Sequence, residues 1–328
     1  MIGACAMVAG YLIAFASDTL TGLLISRAIT GGGFAVFYVC CQNYVAAYAS
    51  DEIRNKSYTI FSVAQGAGFL CGFPIGGILV DNIGDTSIFL CSFFVSLLSF
   101  FITKKYIIDL PLVTLNKKPQ IKKKIWSLLK IPELIIPMIF SVLPTRFLFS
   151  SVICFLYPIY LSSMHNSASV IGRIMMMFGT VSFLFASQAY RVVARVKNPN
   201  LIAAVSSCIL AIPMIMDPFF QSTNGIIFQL IVNTLCTMVY IVAMMTVLDK
   251  ISIKYNENYT KSSILGCYFI AERTGMIIGP GVTTFILAHT DYSHTLFFIG
   301  LILIACNLVY IGHSLVFYIN EKRRVTAQ

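Results

Sequence analysis

Residues 66–77 read Gly66-Ala67-Gly68-Phe69-Leu70-Cys71-Gly72-Phe73-Pro74-Ile75-Gly76-Gly77 and lie inside an apolar segment long enough to cross a lipid bilayer. Gly68, Gly72 and Gly76 recur every four residues, and Gly77 follows directly. In a helix, small residues at this spacing form a smooth strip on which another helix backbone can pack closely. Pro74 removes one backbone donor and bends the helix there. The segment therefore predicts a bent helix at a surface where two helical bundles move against each other.

The composition assigns the whole chain to the membrane class. The 328 residues are 58% hydrophobic and 11% charged, whereas soluble domains carry about 25% charged residues. Apolar blocks of about 20 residues, separated by short polar breaks, are typical of a polytopic helical membrane protein. The predicted fold class is all-α, with about ten spans at 1–16, 19–49, 57–80, 86–105, 134–162, 168–192, 199–216, 224–249, 262–287 and 293–318.

Lysine and arginine are confined to alternate connections between these spans. The breaks around Asp18 and at 81–86, 163–167, 217–225 and 288–292 contain neither residue. The positive-inside rule then places the basic connections and the C-terminus in the cytoplasm. The net charge of +10 is thus interpreted as topology in a plasma or inner membrane, and no nucleic-acid partner is predicted.

The longest and most basic break divides the chain. We predict an incomplete four-helix bundle at 1–105, a cytoplasmic linker at 106–133, and a six-helix bundle with a short tail at 134–328. In the linker, Ile121, Ile125, Leu128 and Leu129 share one helical face, with lysines around them. This pattern predicts a short amphipathic helix on the anionic inner leaflet. A solvated tether between the two bundles is the alternative.

The two bundles carry similar features. Lys56-Ser57 precedes the Gly68–Pro74 segment, and Lys261-Ser262 precedes Gly275, Gly279 and Pro280 at a comparable distance. Parallel repetition of this kind is how some transporters are built from two halves. We therefore predict that the two glycine-rich helices occupy matching positions.

Three motifs resemble the major facilitator superfamily, especially its proton-coupled drug-antiporter branch. They are Arg27 followed by Gly31 and Gly33, the glycine frame at 68–77, and the acidic-then-basic loop at 51–56. The antiporter motif has proline directly after its middle glycine, whereas here Phe73 intervenes before Pro74. The resemblance implies alternating-access transport, a proton-coupling role for Arg27, and helices corresponding to the family's third to twelfth, with the first two missing.

Charged residues within spans are the main functional candidates, because a charge at the bilayer centre requires protein or water around it. Glu272 is the single acid deep in a predicted span and is the second proton-coupling candidate; neutralising a neighbouring arginine is its alternative role. Arg146 follows Pro144 and Thr145 in mid-helix. An arginine beside a helix distortion in mid-membrane is a candidate substrate-anion ligand; a structural role is its alternative. For Arg27 the alternative is a buried arginine that binds backbone carbonyls or an interfacial acid. The excess of cations over acids favours an anionic or amphiphilic solute.

Polar and small residues complete the candidate set. Gln42, Asn43, Gln65 and Asn233 are predicted to line the substrate cavity, although amides in spans also bridge helices. Conformational and helix-packing roles are predicted for Gly31, Gly33, Gly68, Gly72, Pro74, Gly76, Gly77, Gly275, Gly279 and Pro280.

The predicted function is secondary active transport of a small organic solute, coupled to protons. The predicted partners are that solute, protons and the lipid bilayer. The chain carries no phosphate-binding loop of the Walker type, and its histidines are dispersed; no enzyme activity, cofactor or metal is predicted. The alternatives are a non-transporting membrane sensor or scaffold, and an inactive transporter fragment.

Overall fold

The computed structural model describes residues 1–48, 51–107, 125–196, 198–219 and 221–326. Within these ranges the regular structure is helical, and ten long helices follow one another. They are α1 (Ile2–Ala16), α2 (Leu20–Tyr48), α3 (Asp51–Ile83), α4 (Ser87–Tyr106), α5 (Pro132–Ser163), α6 (Ala168–Ala194), α7 (Pro199–Ile215), α8 (Thr223–Lys254), α9 (Lys261–Leu287) and α10 (Tyr292–Thr326). Two short 3₁₀ helices occur at Ile125–Lys130 and Asp217–Phe219.

The helices coincide with the predicted spans and confirm the all-α membrane class. In the described part of the chain, eight of them are long and apolar enough to cross a membrane. The other two are α1, which has 15 residues, and α9, where Glu272 and Arg273 lower the mean hydropathy of a 27-residue helix. Large apolar side chains remain exposed on many helices, as expected for surfaces that face lipid.

The loop predicted at 51–56 is helical instead. Residues 51–56 were expected to form a loop before the third span, but α3 already begins at Asp51. The sequence contains neither glycine nor proline between residues 51 and 65, so no residue interrupts the helix there.

The fifth helix is irregular around Arg146. Its α-helical course is interrupted by π-helical turns at Met138–Val142 and Phe149–Leu156, and Arg146 lies in the short α-helical stretch between them. Proline residues within a helix leave carbonyl groups without their usual amide donors, and such places accommodate π-turns. The distortion predicted next to Arg146 is therefore present.

Contacts divide the chain into two units. The first contains Met1–Lys118 with Ser167–Met176, and the second contains Pro119–Asn166 with Met177–Gln328. The beginning of α6 thus groups with the N-terminal helices. The predicted division at 1–105, 106–133 and 134–328 stays a prediction.

In the first unit, close backbone approaches occur at glycines. A Cβ built on Gly33 would lie 2.8 Å from the Gly3 carbonyl oxygen, where α1 and α2 cross. A Cβ on Gly172 of α6 would lie 2.5 Å from the Phe73 carbonyl oxygen and 3.1 Å from Pro74 Cα in α3. A Cβ on Gly77 would collide with the Ala168 carbonyl group. The second half of the glycine frame therefore packs against the first turns of α6.

Asp81 caps the start of α6 within the same unit. Its carboxylate accepts hydrogen bonds from the backbone N–H groups of Ala168 at 3.0 Å and Ser169 at 2.7 Å. These N–H groups have no partner inside the helix, and a carboxylate there also complements the helix dipole.

We expect Asp81→Ala to lower the melting temperature of the purified protein, because it removes the carboxylate acceptor of both amide groups at the start of α6. Thermal unfolding followed by circular dichroism measures the effect. Asp85→Ala, at an exposed position in the turn after α3, is the matched control and should melt like the wild type. Equal melting temperatures for all three proteins would contradict the capping role.

The core of the second unit lies among α5, α7, α8, α9 and α10. Its fully buried side chains include Val142, Tyr240, Met244, Tyr268 and Tyr310. Leu128, in the 3₁₀ helix before α5, is also buried in this core, whereas Leu129 is half exposed. Leu128 therefore packs into protein rather than facing the inner leaflet as predicted. Residues 108–124 of the predicted linker lie outside the described residues, so its contact with anionic lipid stays a prediction.

Candidate functional site

Arg146 and Glu272 form an ion pair in the second unit. Arg146 Nε lies 3.2 Å from Glu272 Oε1, and the two side chains are 13% and 11% exposed. Arg146 Nη2 also donates a hydrogen bond of 3.1 Å to the hydroxyl group of Tyr268. The substrate-anion candidate and one proton-coupling candidate are therefore brought together, and Glu272 has the arginine partner that was its predicted alternative role.

The spacing of residues along α9 creates this contact. Tyr268, Glu272, Gly275 and Gly279 follow at intervals of four, three and four, so they lie on one helical face. On other faces of the helix, Ile277 is 77% and Phe285 is 70% exposed. The face that carries the polar residues and glycines is turned towards α5, and exposed apolar side chains on the other faces are suited to contact lipid.

Two glycines allow α9 to lie directly on α5. A Cβ on Gly275 would collide with the Leu143 carbonyl oxygen, and a Cβ on Gly279 would lie 2.6 Å from Ser151 Oγ. Between them, Ser150 Oγ donates a hydrogen bond of 2.8 Å to the Met276 carbonyl oxygen. The helix backbones are close here because side chains are missing, and this closeness brings Glu272 within reach of Arg146.

Further buried hydroxyl groups lie on the stretch of α5 that precedes Arg146. Ser141 Oγ donates to the Tyr240 hydroxyl at 3.3 Å, and Thr145 Oγ1 lies 2.9 Å from Ser207 Oγ. Ser141 and Thr145 lie on α5 within the two turns before Arg146. Sequence reasoning missed Tyr240 and Tyr268, since a tyrosine in an apolar span reads as an ordinary packing residue. The i to i+4 spacing of Tyr268 and Glu272 was the available signal.

The neighbouring Arg273 behaves differently. Its side chain is exposed and contacts Met276 Sδ at 3.8 Å through Nη1. Successive residues point about 100° apart around a helix, so Glu272 turns towards α5 while Arg273 turns away. The prediction that the two residues do not share a face is confirmed.

Arg27, the other proton-coupling candidate, belongs to the first unit. Its side chain is exposed, and its guanidinium group lies 5.5 Å from the centre of the Phe89 ring in α4. This is a cation–π distance. Arg27 is therefore not buried as its alternative role required, and its part in proton coupling stays a prediction.

The four predicted cavity amides do not share one environment. Gln42 is half-buried and Gln65 is exposed, both in the first unit. Asn233, in the second unit, is fully buried and donates to the Tyr157 hydroxyl at 3.0 Å. The side chain of Asn43 lies outside the described residues. Their common role in a substrate cavity stays a prediction.

The predicted packing positions also divide into two groups. Gly33, Gly77, Gly275 and Gly279 lie at close approaches between helices, and Pro74 lies beside Gly172. In contrast, no described atom outside the local backbone comes within 4 Å of a Cβ built on Gly31, Gly68, Gly72 or Gly76. The Pro280 carbonyl oxygen accepts a hydrogen bond of 2.8 Å from Thr284 Oγ1 in the next turn of α9.

A second buried acid was missed from the sequence. Asp217 is fully buried and accepts hydrogen bonds from Gln229 Nε2 and Ser293 Oγ, both at 2.5 Å. Sequence reasoning placed this residue in a polar connection. The signal that could have revealed it is the pair Gln229 and Asn233, spaced four apart on the apolar helix that follows.

In the described part of the chain, ten long helices with an ion pair and buried polar groups among apolar spans define a polytopic helical membrane protein. The family profile of the Major Facilitator Superfamily matches residues 1–264. The chain belongs to this family and is a membrane transporter.

Comparison with solved structures gives the same fold. The structure of the human organic anion transporter MFSD10 (TETRAN) is similar, with a TM-score of 0.59 and 16% sequence identity, over 94% of this chain and 75% of that chain. At this identity the likeness is one of fold. A comparison with curated protein sequences gives no match.

Proposed function

We propose that the protein moves a small organic anion or amphiphile across a plasma or inner membrane by alternating access, coupled to protons. The observation that carries the proposal is the Arg146–Glu272 ion pair, with Tyr268 on the same guanidinium group. A charged pair within membrane spans is expensive to maintain, so its presence favours a functional role.

The proposed mechanism is an exchange of partners on Arg146. An anionic solute takes the position of the Glu272 carboxylate, because a guanidinium group binds carboxylates and similar anions through directed hydrogen bonds. Glu272, left without its cation in a poorly hydrated site, takes up one proton. The charge of the site is then the same before and after binding. One proton and one singly charged anion therefore occupy the site together and move in the same direction.

The sign of the solute charge is inferred from Arg146. The similar human protein transports organic anions, but its likeness to this chain is one of fold and does not carry the substrate over. The glycine frame at 68–77, which resembles an antiporter motif, favours the opposite coupling, in which protons and solute move in opposite directions.

Flux measurements in proteoliposomes separate these proposals. We expect an inwardly directed proton gradient to drive uptake of an aromatic carboxylate, with an accumulation of about tenfold per pH unit for one proton per solute. Because the loaded site is electrically balanced, a membrane potential alone should have little effect. An aromatic cation of similar size is the matched control and should not accumulate.

Each other result has a defined meaning. Export of the carboxylate against an inward proton gradient would favour antiport and contradict the proposed co-binding. Uptake that follows membrane potential alone would contradict proton coupling. No flux of any solute in protein that remains folded would favour a sensor or scaffold.

A further inference from the structure

A directional chain of hydrogen bonds in the second unit ends on Asp217. Asn233 Nδ2 donates to the Tyr157 hydroxyl at 3.0 Å, Tyr157 donates to Gln229 Oε1 at 2.9 Å, and Gln229 Nε2 donates to Asp217 Oδ1. Ser293 Oγ donates to the other oxygen, Oδ2. Asp217 thus accepts directly from α8 and α10, and Gln229 links it to Tyr157 of α5.

Among the described residues, no cation forms an ion pair with this carboxyl group. None of the ion pairs in the described ranges includes Asp217, and its exposed fraction is 0%. Asn233 Oδ1, at the other end of this series of hydrogen bonds, is a buried acceptor without a hydrogen-bond partner among the described residues. Neutral donors alone stabilise a buried carboxylate incompletely, and a bound proton removes the remaining charge.

We propose that Asp217 is a proton-binding site at the end of the second unit where the helix connections contain no lysine or arginine. By the positive-inside rule, that end faces away from the cytoplasm. This site is separate from Glu272 and does not depend on the proposed transport mechanism. It would make the packing of α5, α8 and α10 sensitive to acidity on that side of the membrane.

Ser293 provides the means to accommodate the proton. The Gln229 amide nitrogen can only donate, so a proton on Oδ1 would meet another donor. A hydroxyl group can accept as well as donate. A proton on Oδ2 can therefore donate to Ser293 Oγ, whose own hydrogen then turns towards the nearby Tyr160 hydroxyl. One proton enters from water, the Ser293–Asp217 hydrogen bond reverses its direction, no covalent bond of the protein breaks, and Gln229 keeps its hydrogen bond.

The other titratable groups around Asp217 are few in the described residues. They are Tyr157 and Tyr160 on α5, and Asp291 with its partner His294 at the exposed start of α10. Asp291 accepts from the backbone N–H of His294, which holds the pKa of this carboxyl group below its usual range. Asp291 is therefore the matched acid that should remain ionised.

The test uses infrared difference spectra of the purified full chain, recorded as a function of pH in the Glu272→Gln background. That background removes the acid of the proposed transport site, so the result does not depend on transport. We expect a C=O band of a protonated carboxyl group that titrates while the protein is folded. Asp217→Asn should remove this band, and Asp291→Asn should leave it unchanged.

Stability gives an independent readout. We expect Asp217 to hold its proton in the folded state at a pH at which the unfolded chain releases it. The folded state then loses stability as pH rises. Asp217→Asn, of nearly the same shape, should therefore raise the melting temperature at alkaline pH and flatten its dependence on pH. Ser293→Ala keeps the carboxyl group but removes its acceptor, so it should shift the band and its titration.

Two outcomes overturn the proposal. One is a carboxyl band that survives Asp217→Asn or disappears in Asp291→Asn. The other is the absence of any such band at every pH at which the protein is folded. If Asp217→Asn does not fold, Ser293→Ala is the deciding variant. A shifted band supports the proposal, and an unchanged band overturns it.

Discussion

Replacing Arg146 by alanine is expected to reduce anion transport by roughly 10- to 150-fold. Hydrogen bonds to charged groups contribute about 1.5–3 kcal/mol, and this range converts to that loss at 1.36 kcal/mol per factor of ten. The measurement is initial uptake of an aromatic carboxylate into proteoliposomes under an inward proton gradient. Arg273→Ala is the matched control, because Arg273 is adjacent to Glu272 but exposed. It should transport like the wild type.

Folding must be separated from transport in this test. Removing one member of a buried ion pair leaves the other charge without its partner, at a cost of about 3–5 kcal/mol. The double variant Arg146→Met/Glu272→Leu removes both charges and should recover much of the lost stability. It should nevertheless remain inactive, because the anion ligand is absent. A double variant that regains transport would contradict the role of Arg146.

Glu272→Gln is expected to have a different effect. Glutamine resembles the protonated acid, so Arg146 stays available to the anion while proton uptake at this position is lost. We expect exchange of labelled anion between equal concentrations to continue, while accumulation driven by a proton gradient disappears. Retention of full proton-driven accumulation would contradict the proposed role of Glu272.

Replacing Gly275 by alanine is expected to destabilise the protein by about 1–3 kcal/mol, or more, through overpacking. The added Cβ would collide with the Leu143 carbonyl oxygen and lie 3.0 Å from the Phe147 backbone nitrogen. Neither is the end of a flexible side chain, so α9 must move away from α5. The movement would also separate Glu272 from Arg146, and transport should fall with stability.

The same helix supplies controls for this substitution. Gly266 and Gly281 have no described atom within 4 Å of a built Cβ, apart from the local backbone. Alanine at either position should be neutral or stabilise by about 0.5–1 kcal/mol, because glycine loses more conformational freedom on helix formation. Thermal unfolding in detergent measures all three variants. Similar changes at Gly275, Gly266 and Gly281 would contradict the close packing of α9 on α5.

The candidate site was partly predictable. Arg146 and Glu272 could each be selected as charges within apolar segments, because the bilayer penalises such charges wherever they occur. An arginine partner for Glu272 was predicted only as an alternative role, and Arg146 was not identified as that partner. The pairing depends on the contact of two helices that are far apart in sequence. Asp217 was missed for a related reason: its burial depends on Ser293 and Gln229, which lie in other segments.

The two glycine patterns were also predictable only in part. Helical spacing alone indicates that Gly68, Gly72 and Gly76 form one strip and that Gly275 and Gly279 form another, because the period of a helix is local. The contacts of each strip depend on which helix lies opposite. In the structure, Gly275 and Gly279 meet α5, and Gly77 meets α6 at the end of its own strip.

The sequence by itself determined the class of this protein, its helices and the distribution of basic residues between them. These properties follow from the length of apolar blocks and from nearest neighbours along the chain. Only the tertiary structure decided that Glu272 faces Arg146, that Leu128 is buried, and that Asp217 accepts hydrogen bonds from side chains of two other helices. These contacts depend on packing between distant segments, for which one sequence carries no direct distance information.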